Sequence, residues 1–382
     1  MANTHASLTA LFVDIADAIR EKTGDTATIV ADDFPDVIRE RLQAAPPLPY
    51  LTFKSPNSFT LAVGDATKHW NGALEYSTDA STWSTWDGTT TLSSATSGSD
   101  NVLYLRGTGN TVITGYNQNH KWVLTGSDIS CIGNIENLLD YATVESGEHP
   151  TMATGCYEKM FYGCTALIKA PALPATTLVD SCYESMFDGC TSLTKAPALP
   201  ATTLAESCYS YMFSGCTSLI RAPALPATTL EPDCYSGMFW GCTSLTQAPA
   251  LPATTLAYNC YGYMFSGCTG LTKAPALPAT TLAESCYSNM FSGCTGLTQA
   301  PALPATTLAY NCYGCMFSGC TSLKLSSTQT DEYTQEYRIP TAGTGTTATD
   351  ALTDMFTSTG GTFTGTPEIN KTYYLSNTNT IV

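Results

Sequence analysis

The sequence predicts a multidomain chain: a short N-terminal helical module, an antiparallel β-sandwich-like domain, and a leucine-rich-repeat solenoid of α/β coils with a C-terminal cap. Three observations predict this fold class. The chain has 382 residues, which is too long for one ordinary hydrophobic core. Its apolar pattern changes from helical spacing to short strands within the first third. A 26-residue unit then recurs seven times without a slip, which is typical of a solenoid.

Residues 1–43 are predicted to form a helical docking or oligomerisation module. Leu8, Leu11 and Ile15 recur at helical spacing, and Pro35 fits the first turn of a second helix. Two short helices bury little surface alone, so we expect this module to dock on a partner or on a symmetry mate. A small cap for the following domain is the alternative. Residues 44–50 form a stiff Pro-rich linker.

Residues 51–133 consist of short apolar segments separated by Gly, Asn, Asp and Ser turns, which predicts a β-sandwich-like domain. Three tryptophans lie close together in this segment, at Trp70, Trp83 and Trp86. They are either core residues or a stacking platform for carbohydrate. We expect the core.

Residues 134–325 form the predicted solenoid, whose seven repeats start at Cys156. Within a repeat, Cys156, Met160 and Cys164 fall at positions i, i+4 and i+8, which predicts a helix of two to three turns with a buried apolar stripe. The leucine segment that follows is interrupted by prolines, so we expect only a brief strand there. Residues 326–382 are predicted to be a degenerate capping repeat and a tail.

Fourteen of the sixteen cysteines belong to the repeat pattern. Eight residues of helix separate two cysteines by about 12 Å, and stacked helices lie about 8–10 Å apart, whereas a disulfide tolerates about 7 Å between Cα atoms. We therefore expect the cysteines of the repeats to be free thiols that pack in the core as small hydrophobic residues. Disulfides and zinc sites are the alternatives. Cys315 breaks the pattern, and we expect it to be the accessible thiol.

The variable positions of the repeats predict the binding surface. One column of equivalent positions is cationic or amidic, and we call it the polar ladder: Lys169, Lys195, Arg221, Gln247, Lys273 and Gln299. Aromatic residues also occur at variable positions: Tyr211, Trp240, Tyr258, Tyr263 and Tyr310. Exposed aromatic rings beside amide and cationic groups are typical of surfaces that recognise sugars or proteins. The alternative is that these side chains are ordinary solvent-exposed residues with no binding role.

Composition and motifs exclude several function classes. The net charge of −16 disfavours nucleic acid, and no apolar run is long enough for membrane insertion. The first residues lack the pattern of a secretory signal, so we expect folding in a cytoplasm. The four histidines have no ligand or triad spacing, and no phosphate loop or nucleophile motif occurs. We predict no catalytic residues, no metal site and no cofactor.

The repeat unit Met-Phe-x-Gly-Cys-Thr-Ser-Leu-x-x-Ala-Pro-x-Leu-Pro-Ala-Thr-Thr-Leu resembles the BspA-like (Treponema-type) leucine-rich repeat over residues 150–370. The segments Leu11-Phe12-x-Asp14-Ile15 and Ala31-Asp32-Asp33-Phe34-Pro35 resemble a module that opens tail and baseplate-associated proteins of gut phages. Neither resemblance carries catalytic residues.

Together the two resemblances imply a phage tail fibre or receptor-binding protein in the virion, as a homo-oligomer that we expect to be trimeric. Residues 1–43 would then attach to other virion tail or baseplate proteins, and the solenoid would bind a host cell-surface glycan or protein. The alternative is a bacterial cell-surface adhesin or filament subunit of the BspA-like family. A glycan-degrading enzyme is the third reading.

Overall fold

The computed structural model describes residues 48–115, 117–340 and 348–382. Residues Pro49–Val382 form one compact unit. The predicted helical module, residues 1–43, and the first part of the predicted linker lie outside the described residues.

Strands dominate the regular structure of the described residues, and helices are few. The helices are α1 (Asn137–Glu145), α2 (Ala348–Leu352) and a 3₁₀ turn at Gln118–His120. The strands, in chain order, are β1 (Leu51–Ser55), β2 (Thr60–Val63), β3 (Ala73–Ser77), β4 (Ser84–Trp86), β5 (Leu92–Ser93), β6 (Ala95–Ser97), β7 (Asp100–Thr108), β8 (Trp122–Thr125), β9 (Ile129–Ile132), β10 (Leu167–Lys169), β11 (Gln299–Ala300), β12 (Lys324–Ser326), β13 (Tyr333–Arg338), β14 (Gly360–Gly361), β15 (Thr372–Ser376) and β16 (Thr380–Ile381).

Four open sheets are built from these strands. The largest has seven strands in the order β10-β9-β1-β7-β3-β4, with β6 also paired to β7. A three-stranded sheet, β5-β2-β8, packs against it through Phe53 of β1 and Trp122 of β8, whose rings are 6.3 Å apart. A four-stranded sheet, β13-β15-β12-β14, and the β11-β16 pair lie towards the C-terminal end of the chain.

The seven-stranded sheet leads directly into the repeats. Its strand β9 pairs in parallel with the edge strand β10, which belongs to the first repeat. Trp122 donates its backbone N–H to the carbonyl of Met160 and accepts the Cys164 thiol, so it occupies the place that a phenylalanine takes in later repeats. Its ring meets Phe161 edge-on at 6.2 Å. The β-rich segment therefore serves as the first layer of the solenoid and covers its N-terminal end.

The predicted fold class is wrong in the nature of the coils. The segment Cys156–Cys164, predicted to be a helix, is a series of tight turns, and the same holds for the equivalent segment of each later repeat. Alternate backbone N–H groups donate to the carbonyl three residues earlier, as Met160 does to Tyr157 at 3.2 Å. The intervening N–H groups donate to the next coil, as Phe161 does to Met186 at 2.9 Å. We call this segment and its equivalents the turn ladder.

The turn ladder cannot be a helix because every fourth residue has a positive φ. In the first repeat these residues are Gly155 (φ 65°), Lys159 (φ 54°) and Gly163 (φ 72°). Such left-handed residues interrupt a right-handed helix. Because these left-handed residues recur every four positions, side chains four residues apart still point to the same side of the coil. Cys156, Met160 and Cys164 therefore share one buried side, as a helix would also have placed them.

The interior of the solenoid consists of columns of identical side chains. The Tyr157 and Phe161 columns stack with ring centroids 5.6–5.9 Å apart and nearly parallel planes. The Cys, Met and Leu columns of the same coils are also buried. The Phe column continues past the last full repeat, because Phe356 stacks on Phe317 at 5.6 Å. Tyr337 and Phe363 then meet Phe356 edge-on.

All sixteen cysteines are free thiols, and fifteen of them are buried, as predicted for small hydrophobic residues. The distance argument made from the sequence is nevertheless wrong. Neighbouring coils are separated by about 5.7 Å at the aromatic columns, which is closer than the 8–10 Å of packed helices. The second cysteine of each repeat donates its thiol to a carbonyl of the preceding coil, as Cys216 does to Phe187 at 3.1 Å. This contact gives the column a structural role that spacing alone did not reveal.

Candidate functional site

The polar ladder lies where neighbouring coils make their short parallel contacts. Isolated parallel bridges join Lys195 to Arg221, Arg221 to Gln247, and Lys273 to Gln299. At the N-terminal end Lys169 pairs with Ser130 in β9, and at the C-terminal end Gln299 pairs with Thr380 in β16. A proline lies two residues after each ladder position, as Pro171 does after Lys169. It keeps each contact between coils short, because proline has no N–H with which to extend a strand pairing.

These backbone contacts project the ladder side chains outward at a regular interval. Five of its six residues are exposed and Gln299 is half-buried, whereas the leucine two residues before each of them is fully buried. Lys195 and Arg221 also make interactions with other residues of the chain. The side chains thus form a stripe of cations and amides along the solenoid.

A groove of about 870 Å³ follows the C-terminal half of this stripe. Its polar lining includes Gln247, Lys273 and Gln299, so the structure brings together three of the predicted site residues there. The Ala-Pro-Ala-Leu-Pro segments of two successive coils and the C-terminal residues Ile381 and Val382 supply the apolar lining. The groove combines a rigid proline-rich wall with amide donors and acceptors and one ammonium group.

The predicted aromatic residues do not join this groove. Tyr211 and Tyr263 occupy the left-handed positions of the turn ladder, with φ of 52° and 57°. Trp240 stands beside the turn-ladder glycine of its own coil and is 51% exposed. Tyr258 and Tyr310 occupy equivalent positions two coils apart and are 50% and 58% exposed. The structure therefore divides the predicted site residues into two groups.

Tyr211 is the least exposed of these five aromatic residues. Its ring covers Gly237 of the next coil, where an added Cβ would lie 2.3 Å from a ring carbon. Burial raises the pKa of the Tyr211 hydroxyl, and the nearby Tyr263 raises it further. Tyr211, Gly237 and Tyr263 thus form one small surface cluster in which the glycine makes room for a ring.

The tryptophans of the β-rich segment are mostly core, as expected. Trp70 and Trp86 are buried, with ring centroids 5.0 Å apart. Trp83 is half-buried, and the Arg106 guanidinium lies 4.1 Å from its ring centroid.

The structure brings together one set of metal-ligating side chains that the sequence analysis did not predict. Asp65, His69 and His120 have ligand atoms within 4.8 Å of one another. The four-residue spacing of Asp65 and His69 was visible in the sequence. The approach of His120 was not, because it depends on the pairing of two strands about 60 residues apart.

Within the described residues, no helix is both long and apolar enough to cross a membrane. Residues 138–272 match the model of the BspA type leucine-rich repeat region, in six copies. No curated protein and no solved structure matches the chain. Residues 138–272 are therefore a leucine-rich repeat region of the BspA type.

Proposed function

We propose that this protein is an adhesion protein that binds a cell-surface glycan or protein through the polar ladder of its repeats. BspA-like repeats suggest a surface or adhesion-type protein. The observation that carries the proposal is the contrast between the two kinds of column. Buried columns repeat almost without change, whereas the residues of the exposed ladder vary among lysine, arginine and glutamine, and the ladder borders a groove.

The proposed location is the surface of a bacterial cell. BspA-like repeat proteins are typically bacterial cell-surface proteins, which favours this location over the virion. The phage reading depends on a motif within residues 1–43, outside the described residues, and no matched protein supports it. The trimeric state and the docking role of residues 1–43 stay predictions.

A binding role without catalysis accords with the repeat type, which belongs to interaction and adhesion rather than to enzymes. The groove offers amides, a lysine and apolar proline walls. Such groups can bind sugar hydroxyls or a peptide backbone through hydrogen bonds, with apolar contact from the prolines. Most of the binding energy is expected from a few of these residues.

A cell-binding assay with three variants tests the proposal. The ladder variant combines Gln247→Ala, Lys273→Glu and Gln299→Ala, all exposed or half-buried in the groove. The aromatic variant combines Trp240→Ala, Tyr258→Ala and Tyr310→Ala. The control is Thr125→Ala on the exposed side of β8.

We expect the fluorescently labelled protein to adhere to target cells. The ladder variant should bind at least about tenfold more weakly than the control, because the loss of even one contact worth about 1.4 kcal/mol weakens binding tenfold. Circular dichroism and unfolding midpoints of all three variants verify folding. Unchanged binding by the ladder variant would refute the assignment of the site. Loss confined to the aromatic variant would move the site to the exposed aromatic residues Trp240, Tyr258 and Tyr310. Release of oligosaccharides from the cells would refute the non-enzymatic role.

A further inference from the structure

Three polar side chains converge at the end of the three-stranded sheet. Strands β2 and β8 are antiparallel neighbours, and Val63 at the end of β2 faces Trp122 at the start of β8. Asp65 follows β2 by two residues, and His120 precedes β8 by two residues. The strand pairing therefore places the two side chains at the same end of the sheet.

Close backbone contacts fix the separation of the two loops. Gly64 donates its N–H to the carbonyl of Lys121 at 2.8 Å. A Cβ at Gly64 would lie 2.8 Å from the carbonyl oxygen of Asn119, so glycine permits an approach that other residues would hinder. The relative position of Asp65 and His120 is thus set by the backbone rather than by flexible side chains.

His69 completes the group from the loop before β3. Its Nε2 lies 2.8 Å and 3.0 Å from the two carboxylate oxygens of Asp65. Its ring stacks on the ring of His120 with centroids 3.4 Å apart and an angle of 12° between the planes. Two imidazoles and one carboxylate therefore face one small volume at the protein surface.

The orientation of His120 is typical of a metal ligand. Its Nδ1 lies 2.5 Å from the carbonyl oxygen of Thr114, and a carbonyl only accepts, so Nδ1 carries the proton. The Nε2 atom of His120 is then unprotonated in the neutral ring and has a lone pair available for a cation. A backbone carbonyl that fixes the tautomer of a histidine in this way is a common partner of metal-binding histidines.

The nearby cations point away from this volume. Lys68 donates to the carbonyl of Gly72 at 2.7 Å, and the Lys121 ammonium lies 4.9 Å from the ring centroid of Tyr162. Asp65 is exposed and, like any exposed aspartate, carries a negative charge at neutral pH. The net charge around the imidazoles is therefore favourable for a cation.

We propose that Asp65, His69 and His120 form a binding site for a divalent transition-metal ion, with Zn²⁺ as the ion best suited to the ligands. Imidazole nitrogen and carboxylate oxygen are ligands that Zn²⁺ binds at about 2.0–2.2 Å, so tetrahedral ligands lie about 3.4 Å apart. The ligand atoms now lie within 4.8 Å of one another, and the two rings are stacked, so metal binding requires side-chain rotations that unstack the rings and turn both nitrogens towards the ion. The Nε2 proton of His69 moves to Nδ1 when the metal replaces it, and water fills the fourth position.

The bound ion would tie the loop after β2 to the loop before β8. Those loops adjoin the first layer of the solenoid, because Trp122 begins β8 and covers the Phe column. The site would thus stabilise the N-terminal end of the repeat array.

Calorimetric titration of Zn²⁺ into the full chain tests the site. The chain carries no polyhistidine tag and has been treated with a chelator. A Cys315→Ser background removes the one thiol that is not buried. We expect one ion per chain and a higher unfolding midpoint, because the ion binds only the folded protein.

His69→Ala and His120→Ala should each weaken binding by at least about tenfold. His149→Ala is the matched control, because His149 also pairs with a carboxylate, Glu136 at 2.8 Å, but lies outside the group. A His5→Ala control removes the remaining histidine. NMR of the histidine rings in the unmutated chain should show zinc-dependent shifts for His69 and His120 only. Failure of the unmutated chain to bind Zn²⁺, binding by the His69→Ala and His120→Ala variants as tight as that of the unmutated chain, or a shift confined to His149 would each overturn the proposal.

Discussion

We predict that the protein unfolds in mild alkali, because most of its cysteine thiols are buried. Burial raises the pKa of each of the fifteen buried thiols above the usual value of 9.0, for example to about 12 for Cys208, Cys242 and Cys294. The native state therefore keeps these protons, while the unfolded chain releases them as the pH rises through about 9. Stability is fully present below the unfolded pKa and declines above it.

The size of the effect follows from the number of thiols. With a pKa of 9.0 in the unfolded chain, each thiol is half ionised there at pH 9, which lowers the free energy of unfolding by about 0.4 kcal/mol per group. Fifteen such groups give about 6 kcal/mol. At pH 10 the loss is about 1.4 kcal/mol per group, or roughly 20 kcal/mol in total, which exceeds the usual stability of a domain of 5–15 kcal/mol. We expect unfolding between about pH 9 and pH 10.

Urea unfolding at a series of pH values from 7 to 10, under a non-thiol reductant, measures this loss. Measurements repeated at about 0.5 M salt separate it from repulsion among the net negative charges, which salt screens. The double variant Cys216→Ala, Cys242→Ala should reduce the loss of stability between pH 9 and pH 10 by about 2 kcal/mol, whereas Cys315→Ser should change it little because Cys315 is only half-buried. A stability that stays constant up to pH 9.5 would refute the reasoning.

Two further predictions concern the repeat columns. Phe213→Ala should lower the free energy of unfolding at pH 7 by about 3–5 kcal/mol, because a fully buried ring stacked at 5.6 and 5.8 Å is lost, whereas Trp240→Ala at a half-exposed position should change it by less than about 0.5 kcal/mol. Equal losses in urea unfolding would contradict the assignment of core and surface. In native protein an aromatic disulfide reagent should modify Cys315 first, and more slowly at pH 7 than a free thiol does, because burial and Asp354 raise its pKa. Rapid modification of several thiols would show that the cysteine columns are accessible to the reagent. An unchanged first phase of the reaction in the Cys315→Ser variant would show the same.

The sequence was sufficient to predict which repeat positions are buried, since Cys156, Met160 and Leu167 recur at fixed places and are fully buried. It was not sufficient to predict the backbone that buries them. A turn that returns every four residues and a helix that returns every 3.6 residues give the same pattern over nine residues. The distinguishing signal was the recurrence of Gly, Ser, Asn and Asp at the positions of Gly155 and Gly163, since these residues tolerate a left-handed conformation.

The metal-ligating group was beyond such reasoning for a different reason. No local spacing relates His120 to Asp65, and only the register of β2 against β8 brings them together. The polar ladder could be predicted because equivalent positions of a solenoid always stack. The groove beside it could not be predicted, because its lining includes Ile381 of the last strand and the following residue, Val382.

Because the coils stack uniformly, the length of the solenoid is proportional to the number of coils. The Phe column runs from Phe161 to Phe356 in seven steps of 5.6–5.8 Å, so it spans roughly 40 Å. Because each coil contacts only its neighbours, inserting or deleting one 26-residue unit would alter the reach by about 6 Å and leave both end layers intact. Variants of different length, each with a ladder of different extent, are therefore accessible without any redesign of the interior.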